Sequence, residues 1–303
     1  MKNSFQVKDE YINSRLDRWF RRNISNVPQS FIEKNIRKGK IKVNNTKQKS
    51  SYKLKKNDYV IILNLNIEES KNKKNIKKYI ASKKDLNSSS DFFIENNENF
   101  AVINKPAGIA VQSGTKSLKN ILDILSHTKE FENFSPFAVH RLDKETTGVF
   151  IVAKNRKYAQ LFTTLFRIRK IYKTYLGIVI GDIEKKNGTF VDDLVYFEGN
   201  KKIITKAITK FSVLDRKKNF SLLKLNPITG RKHQLRKQLL MHGYPILGDS
   251  KYRITKEYSH KKNSLMLHAY EIKFSINGIK YNYIAELPET FKKILKEKYL
   301  KIF

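Results

Sequence analysis

Residues 138–153, AVHRLDKETTGVFIVA, place a polar segment between two apolar ones. The last five residues predict a buried strand, because apolar residues rich in β-branched types follow one another without a charge. Asp143 lies in the polar segment between Arg141 and Lys144, two cations that favour its ionised form. An ionised carboxylate in a loop is available as a nucleophile or as a base. The alternative is an ordinary tight connection in which Asp143 and Thr147 cap backbone groups.

Around this stretch the pattern predicts an α+β domain that begins at Phe92. Short apolar runs follow one another across tight turns, and they outnumber the helical stretches. This order favours a mixed, largely antiparallel sheet over a doubly wound parallel one. The predicted strands are 92–94, 100–104, 149–153, 175–180, 205–214, 220–225, 265–274 and 280–286, and the predicted helices lie around 118–125 and 159–166.

A second segment, Pro227–Leu240, concentrates positive charge at the start of a predicted helix. Leu235 and Leu239 are spaced to pack inward, and Thr229 is expected to cap the helix. A helix N-terminus already carries partial positive charge, so a phosphate or a fixed carboxylate would relieve the repulsion. The alternative is a basic surface helix. The cations of this segment that we consider functional candidates are Arg231, Lys232 and Arg236.

A third segment, Lys173–Gly181, predicts a strand that carries one aromatic residue. A tyrosine in such a strand is ordinarily part of the core. An aromatic ring also stacks on a nucleobase that has been turned out of its helix, which makes Tyr175 a candidate site residue.

The first 65 residues predict a small module of two helices and a hairpin. Residues 11–24 have the periodicity of an amphipathic helix. A second helix is expected to start at a capping box formed by Ser30 and Glu33 and to end at Gly39. Strands are predicted at 41–43 and 59–63, with a turn at 44–45.

The two predicted helices carry basic side chains on one side, and most of these have no acidic residue four positions away, although Arg37 has Glu33. Like charges held together cost folding free energy unless an anion lies against them. We therefore expect an RNA-binding surface rather than a solvated helix face. The predicted RNA-binding residues of this module are Arg15, Arg18, Arg22, Lys34, Arg37 and Lys38.

The composition also favours a nucleic acid partner. Lys and Arg number 62 and Asp and Glu 28 among 303 residues, which gives a net charge of +34. A protein this basic gains binding free energy by releasing counterions from a polyanion. A genomic bias towards Lys is the alternative explanation, but it does not account for the clustering of Arg with Lys. The mean hydropathy of −0.56 and the absence of a long apolar run leave nothing to span a bilayer.

Other chemistries find little support in the sequence. The absence of cysteine excludes disulfides, thiolate nucleophiles, iron–sulfur clusters and zinc ribbons. The six histidines are not spaced as metal ligands, so we expect neither a metal nor a cofactor. The first twenty residues lack the apolar stretch of a secretion signal, and we expect a cytoplasmic protein that acts as a monomer.

The chain is expected to have three parts. Residues 66–91 are rich in Lys, Asn and Ser and have no apolar stripe, which predicts a flexible basic linker. The linker would join a small RNA-binding domain, 1–65, to a catalytic domain, 92–303.

Taken together and in this order, the segments resemble the RluA-type RNA pseudouridine synthases, most closely the C group that acts on the large ribosomal subunit. The motifs that carry the resemblance are His140–Gly148, Lys173-x-Tyr175, Thr229–Arg236 and His242–Asp249, with Asn104–Gly108 and Leu267–Ala269 in support. The N-terminal module resembles the S4 RNA-binding domain. Departures from the family pattern are Thr147 in place of Ser, and Lys232, Lys237 and Gln238 in place of Thr, Val and His.

The resemblance implies a catalytic domain with a central cleft that isomerises uridine to pseudouridine in RNA, with large-subunit (23S) ribosomal RNA as the expected substrate. It implies that Asp143 is the essential carboxylate, acting either by addition to the sugar or as a base. Tyr175 would stack on the flipped base, Arg236 would orient Asp143, and Arg141 would fill the space that the base leaves. The alternatives are a non-catalytic RNA-binding or ribosome-assembly factor, a synthase acting on tRNA, a base-removing glycosylase, and a protein that binds an anionic membrane surface.

Overall fold

A computed structural model divides the chain into two compact units, Met1–Lys77 and Lys78–Phe303. The structure describes residues 2–25, 27–65, 79, 81–82, 86, 89–113, 119–198, 201–254 and 264–302. Most of the predicted linker, 66–91, lies outside the described residues, and the division into three parts stays a prediction.

The N-terminal unit pairs two helices with a three-stranded antiparallel sheet. The strands are β1 (Lys2–Gln6), β2 (Ile41–Val43) and β3 (Tyr59–Leu63), in the order β1-β3-β2, and the helices are α1 (Leu16–Asn23) and α2 (Gln29–Arg37). Leu16, Phe20 and Ile32 are fully buried between the helices and the sheet. Leu16 and Phe20 in α1 are four residues apart, as are Ile32 and Ile36 in α2, so each helix has one apolar face.

Two predictions for this unit are wrong in detail. The helix expected over 11–24 is shorter, because Asn13 has a left-handed φ of 64° that separates an initial 3-10 turn from α1. Ser30 and Glu33 form no capping box, since α2 already begins at Gln29 and its N-terminus has no side-chain cap. The Gln29 amide instead donates to Glu33 at 3.0 Å and to Asp17 of α1 at 2.8 Å, and thereby joins the two helices.

The larger unit is built on a ten-stranded mixed sheet, as the sequence predicted for its fold class. The strands are β4 (Phe93–Asn96), β5 (Phe100–Lys105), β6 (Phe137–Ala138), β7 (Thr147–Ala153), β8 (Tyr172–Ile180), β9 (Asn187–Glu198), β10 (Lys201–Lys217), β11 (Phe220–Pro227), β12 (Leu267–Ile276) and β13 (Ile279–Ile284). Their order is β4-β5-β7-β12-β8-β11-β10-β9, with β6 paired to β7 and β13 to β12. The helices are α3 (Ile121–Leu125), α4 (Arg156–Arg167), α5 (Gln234–Met241) and α6 (Glu289–Glu297).

Strand β7 occupies the centre of the core, and all its residues are buried. Alternate side chains face opposite ways: Ile151 packs with Phe162 of α4, while Phe150 packs with Ile121 of α3. A strand covered on both faces needs the continuous apolar sequence that identified it.

Strand β9 and helix α6 were not predicted.

The start of β7 is the only place where described strands of this sheet run parallel, and it requires glycine. Thr147 and Gly148 pair there with His268 and Ala269 of β12. Gly148 has a φ of +107°, and a Cβ added to it would collide with the backbone carbonyl of Ala269. The strand register continues this row from Ala269 to Tyr175 of β8 and then to Leu225 of β11.

We therefore expect Gly148→Ala to destabilise the larger unit by about 3 kcal/mol, because the collision involves backbone atoms rather than the end of a flexible side chain. Urea unfolding followed by circular dichroism measures the change. Gly230→Ala is the control, since nothing lies within 4 Å of its Cβ position. Equal stability of the two variants would contradict the assigned register.

Candidate active site

The polar segment between β6 and β7 is held in place at both ends. His140 lies between the rings of Phe150 and Phe166, each 4.6 Å away, and its Nε2 accepts a hydrogen bond from the backbone of Ile151 at 2.9 Å. Burial lowers the pKa of His140 to about 3. The ring is therefore neutral at physiological pH, which leaves Nε2 able to accept this bond.

A buried lysine fixes the other end of the segment. Lys105, at the end of β5, is fully buried, and its ammonium group donates to the carbonyl oxygens of Pro106, Ile109 and Lys144 at 2.7, 2.9 and 3.1 Å. Burial lowers the pKa of Lys105 to about 7, with Glu145 and Asp143 opposing the shift. Because Lys144 follows Asp143 directly, this contact fixes the backbone next to the candidate carboxylate.

Asp143 faces a guanidinium group that is itself held by a second carboxylate. Nη1 of Arg236 donates to Oδ2 of Asp143 at 3.2 Å, while Nε and Nη2 donate to the two oxygens of Asp249 at 2.7 Å each. The exposed fraction of the side chain is 17% for Asp143, 8% for Arg236 and 0% for Asp249. The paired contact with Asp249 fixes the plane of the guanidinium group, so that Nη1 is directed at Asp143.

The buried pair stays charged. Burial works against ionisation of both groups, but their mutual hydrogen bonds prevail, raising the pKa of Arg236 and lowering that of Asp249. Backbone N–H groups of Lys251 and Tyr252 also donate to Asp249 at 2.9 Å each. A buried carboxylate with four donors is fully satisfied, which makes it a firm anchor for Arg236.

These side chains open onto a cavity of about 560 Å³. Asp143 and Arg236 line it together with Tyr175, which β8 brings close because Tyr175 and the start of β7 belong to the same row of the sheet. Burial raises the pKa of Tyr175, so its phenol stays neutral. The cations that line the cavity are Arg141, Arg167, Arg169, Lys173, Arg231, Lys232 and Arg236. The cavity thus combines one carboxylate and an aromatic ring with a strongly positive wall, which suits a polyanion that carries planar bases.

The structure brings together the six site residues predicted in the larger unit: Asp143, Tyr175, Arg236, Arg141, Arg231 and Lys232 all line this cavity. In the N-terminal unit, Arg18, Arg22, Lys34, Arg37 and Lys38 are exposed. Arg15 was predicted to have no acidic partner, but it forms an ion pair with Asp17 at 2.6 Å.

The expectation that Thr229 caps α5 is wrong. The helix begins at Gln234 after His233, and the Thr229 hydroxyl instead donates to the side chain of Gln234 at 2.7 Å. It also accepts from the backbone of Ile208 at 2.8 Å. Thr229 therefore ties the loop before α5 to strand β10.

Sequence reasoning gave no role to Asp249, His233, Tyr252 or Lys105. Asp249 stood in a quoted motif, but its partner Arg236 is thirteen residues away along the chain, and nothing local indicates the pairing. Lys105 stood in the turn motif that begins at the end of β5, and its ammonium group contacts a loop 39 residues later. Only the tertiary fold reveals these contacts.

The class of protein follows from a comparison with known families: residues 99–241 match the model described as RNA pseudouridylate synthase, an RNA-modifying enzyme. Two curated relatives are both named ribosomal large subunit pseudouridine synthase C. The one from Buchnera aphidicola is 33% identical over 93% of this chain and 93% of its own length, and the one from Rickettsia conorii is 33% identical over 94% and 97%. The chain belongs to the RluA-type RNA pseudouridine synthase family, whose members isomerise uridine to pseudouridine.

A solved structure supports the same assignment. The protein titled human RNA pseudouridylate synthase domain containing 4 superposes with a TM-score of 0.60 at 27% identity, covering 71% of this chain and 96% of its own. Within the residues that the structure describes, no helix is long and apolar enough to cross a membrane.

Proposed function

We propose that this protein isomerises uridine to pseudouridine in large-subunit ribosomal RNA, with Asp143 as the essential carboxylate. The observation that carries the proposal is the position of Asp143 at the cavity wall, 3.2 Å from a guanidinium group that is fixed by a buried carboxylate. The names of the curated relatives support the large subunit as the substrate. We further propose that the enzyme is a cytoplasmic monomer.

The reaction rearranges one nucleoside without an added reactant. The bond between C1′ and N1 breaks, the base turns over, and a bond forms between C1′ and C5. The proton on C5 leaves and N1 gains a proton, so atoms and electrons balance. This isomerisation requires no redox cofactor or transferred group. Asp143 acts either by addition to the sugar or as a base.

The cavity supplies what the flipped nucleotide needs. Tyr175 stacks on the extruded base, and Arg236 orients Asp143. Arg141, which is exposed at the cavity rim, fills the vacated place in the RNA stack with its planar guanidinium group. Unstacking a base costs a few kcal/mol, and phosphate contacts with the other cations of the cavity offset that cost.

Measuring tritium release from RNA that carries 5-tritiated uridine tests the proposal, because forming the new bond at C5 expels the label. We expect release without any change in RNA mass other than that of the exchanged hydrogen. Loss of the base mass would instead indicate a glycosylase. RNA binding without release would indicate a non-catalytic factor. Release from tRNA in preference to ribosomal RNA would overturn the substrate assignment.

We also propose that the N-terminal unit is an S4-type RNA-binding domain that grips phosphates. Its exposed cations Arg18, Arg22, Lys34, Arg37 and Lys38 support this role. Affinity carried by phosphate contacts falls with salt, with a slope of roughly one per phosphate that is neutralised.

Replacing those five cations with Gln is expected to weaken binding to a long ribosomal RNA fragment by roughly tenfold or more at physiological salt and to reduce the salt slope. Turnover of a short stem-loop should persist, because the cavity is unchanged. Filter binding across a salt series measures both quantities. The matched control replaces five exposed lysines of the larger unit that do not line the cavity: Lys185, Lys186, Lys217, Lys280 and Lys296. Equal salt slopes for the two variants would contradict the assigned surface.

A further inference from the structure

His233 lies near the carboxylate oxygen of Asp143 that Arg236 does not contact. Its Nε2 lies 3.7 Å from Oδ1 of Asp143, whereas Arg236 lies 3.2 Å from Oδ2. Each carboxylate oxygen thus has its own neighbour. His233 is half-buried and lines the same cavity as Asp143. It therefore lies in the cavity where the nucleotide is proposed to bind.

Tyr252 connects His233 back to the anchor of the site. Its hydroxyl lies 2.8 Å from Nδ1 of His233, and its ring lies over the guanidinium group of Arg236 at 5.1 Å. Its backbone N–H donates to Asp249 at 2.9 Å. Two arms therefore run from Asp249 to Asp143, one through Arg236 and one through Tyr252 and His233. Because the hydroxyl holds Nδ1, the opposite nitrogen of the ring is turned towards Asp143.

The backbone of His233 adopts a conformation that costs conformational free energy for a residue with a Cβ atom. His233 has a φ of 54° and a ψ of 33°, the left-handed region that glycine and asparagine adopt more readily. Such strain concentrates at functional sites, where a contact made by the side chain compensates for it.

We infer that His233 is a positioning residue for the isomerisation: its neutral ring leaves Oδ1 of Asp143 directed at the cavity, and protonation pairs the ring with Oδ1 and withdraws the carboxylate from reaction. This inference rests on the proposed function. The inference gives a role to the connection that runs through Tyr252 and His233 to Asp143. It also predicts that acid inhibits the enzyme, because His233 becomes protonated.

The charges around His233 set the direction of this effect. Burial lowers the pKa of His233, Asp143 opposes the shift, and the cations Arg236, Lys251 and Lys232 add to it. Tyr252 is the remaining titratable group of the described residues that contacts the ring. The ring is therefore neutral at pH 7 and gains its proton only below its ordinary pKa of 6.5. The rate should fall as the pH decreases through that region.

The test is His233→Asn in the full chain, since Asn tolerates the left-handed backbone. We expect the single-turnover rate of pseudouridine formation to fall roughly 10- to 100-fold, with RNA affinity unchanged within a few-fold and an unfolding temperature that is equal or higher. Wild type should lose rate as the pH decreases below 6.5, and the part of this loss that comes from protonation of His233 should be absent in the variant.

Tyr252→Phe provides a second variant, because it keeps the ring over Arg236 and the backbone bond to Asp249 while removing the hydroxyl from His233. We expect a rate loss of about 3- to 10-fold. Tyr158→Phe, on α4 and outside the cavity lining, is the control that should leave the rate unchanged.

A wild-type rate and an unchanged acid limb in His233→Asn would overturn the inference. So would a rate loss that merely follows weaker RNA binding or a lower unfolding temperature. These outcomes are distinct from failure of the proposed function, which appears as absence of pseudouridine formation by the wild-type protein or its persistence in Asp143→Asn.

Discussion

Asp143→Asn is expected to reduce pseudouridine formation by roughly 10⁴-fold or more, the scale seen when a catalytic nucleophile or base is lost. The amide has nearly the shape of the carboxylate, and its oxygen still accepts from Arg236. It neither adds to a sugar nor takes up a proton at neutral pH. The variant therefore removes the chemistry and leaves the architecture of the site in place.

RNA binding by Asp143→Asn should stay within a few-fold of wild type, because affinity resides in phosphate contacts with many cations. Tritium release and filter binding on the same RNA separate the two quantities. Asp193→Asn serves as the matched control, since Asp193 is an exposed carboxylate on β9 that does not line the cavity. Activity that survives in Asp143→Asn would remove this carboxylate from the mechanism.

Arg236→Lys is expected to have the second largest effect, although it preserves the charge. An ammonium group is a single point of donation, so it does not bind both oxygens of Asp249 and also reach Asp143 as the guanidinium fork does. We expect turnover to fall by roughly 100-fold or more, because Asp143 loses its orientation. We also expect a loss of about 3 kcal/mol of unfolding free energy, since Asp249 remains buried with a poorer partner.

Single-turnover kinetics and urea unfolding measure these two effects. Arg216→Lys is the appropriate control, because the Arg216 guanidinium group donates to the carbonyl oxygens of Ile183 and Glu184 away from the cavity. A wild-type rate in Arg236→Lys would show that Asp143 does not depend on the guanidinium group of Arg236 for its orientation. The second arm through His233 would then be the sole candidate for positioning the carboxylate.

Much of the larger unit was predictable from local sequence. Buried strands such as β7 are continuous apolar runs, and helix α4 has apolar residues at helical spacing, so both follow from periodicity. Strand β9, at the edge of the sheet, escaped prediction because the adjacent residues Asp192 and Asp193 interrupt its apolar residues. The start of α5 was misplaced because Thr229, a good capping residue by type, is engaged by Ile208 and Gln234 instead.

The sequence by itself determined the fold class and named Asp143, Tyr175 and Arg236 as candidates, because each stands in a motif that is compact along the chain. Only the tertiary structure decided how they meet. The parallel start of β7, which Gly148 permits, sets Tyr175 in register beside the segment that carries Asp143. The anchoring of Arg236 by Asp249 and the approach of His233 join residues distant in sequence, and such contacts depend on packing that no local pattern encodes.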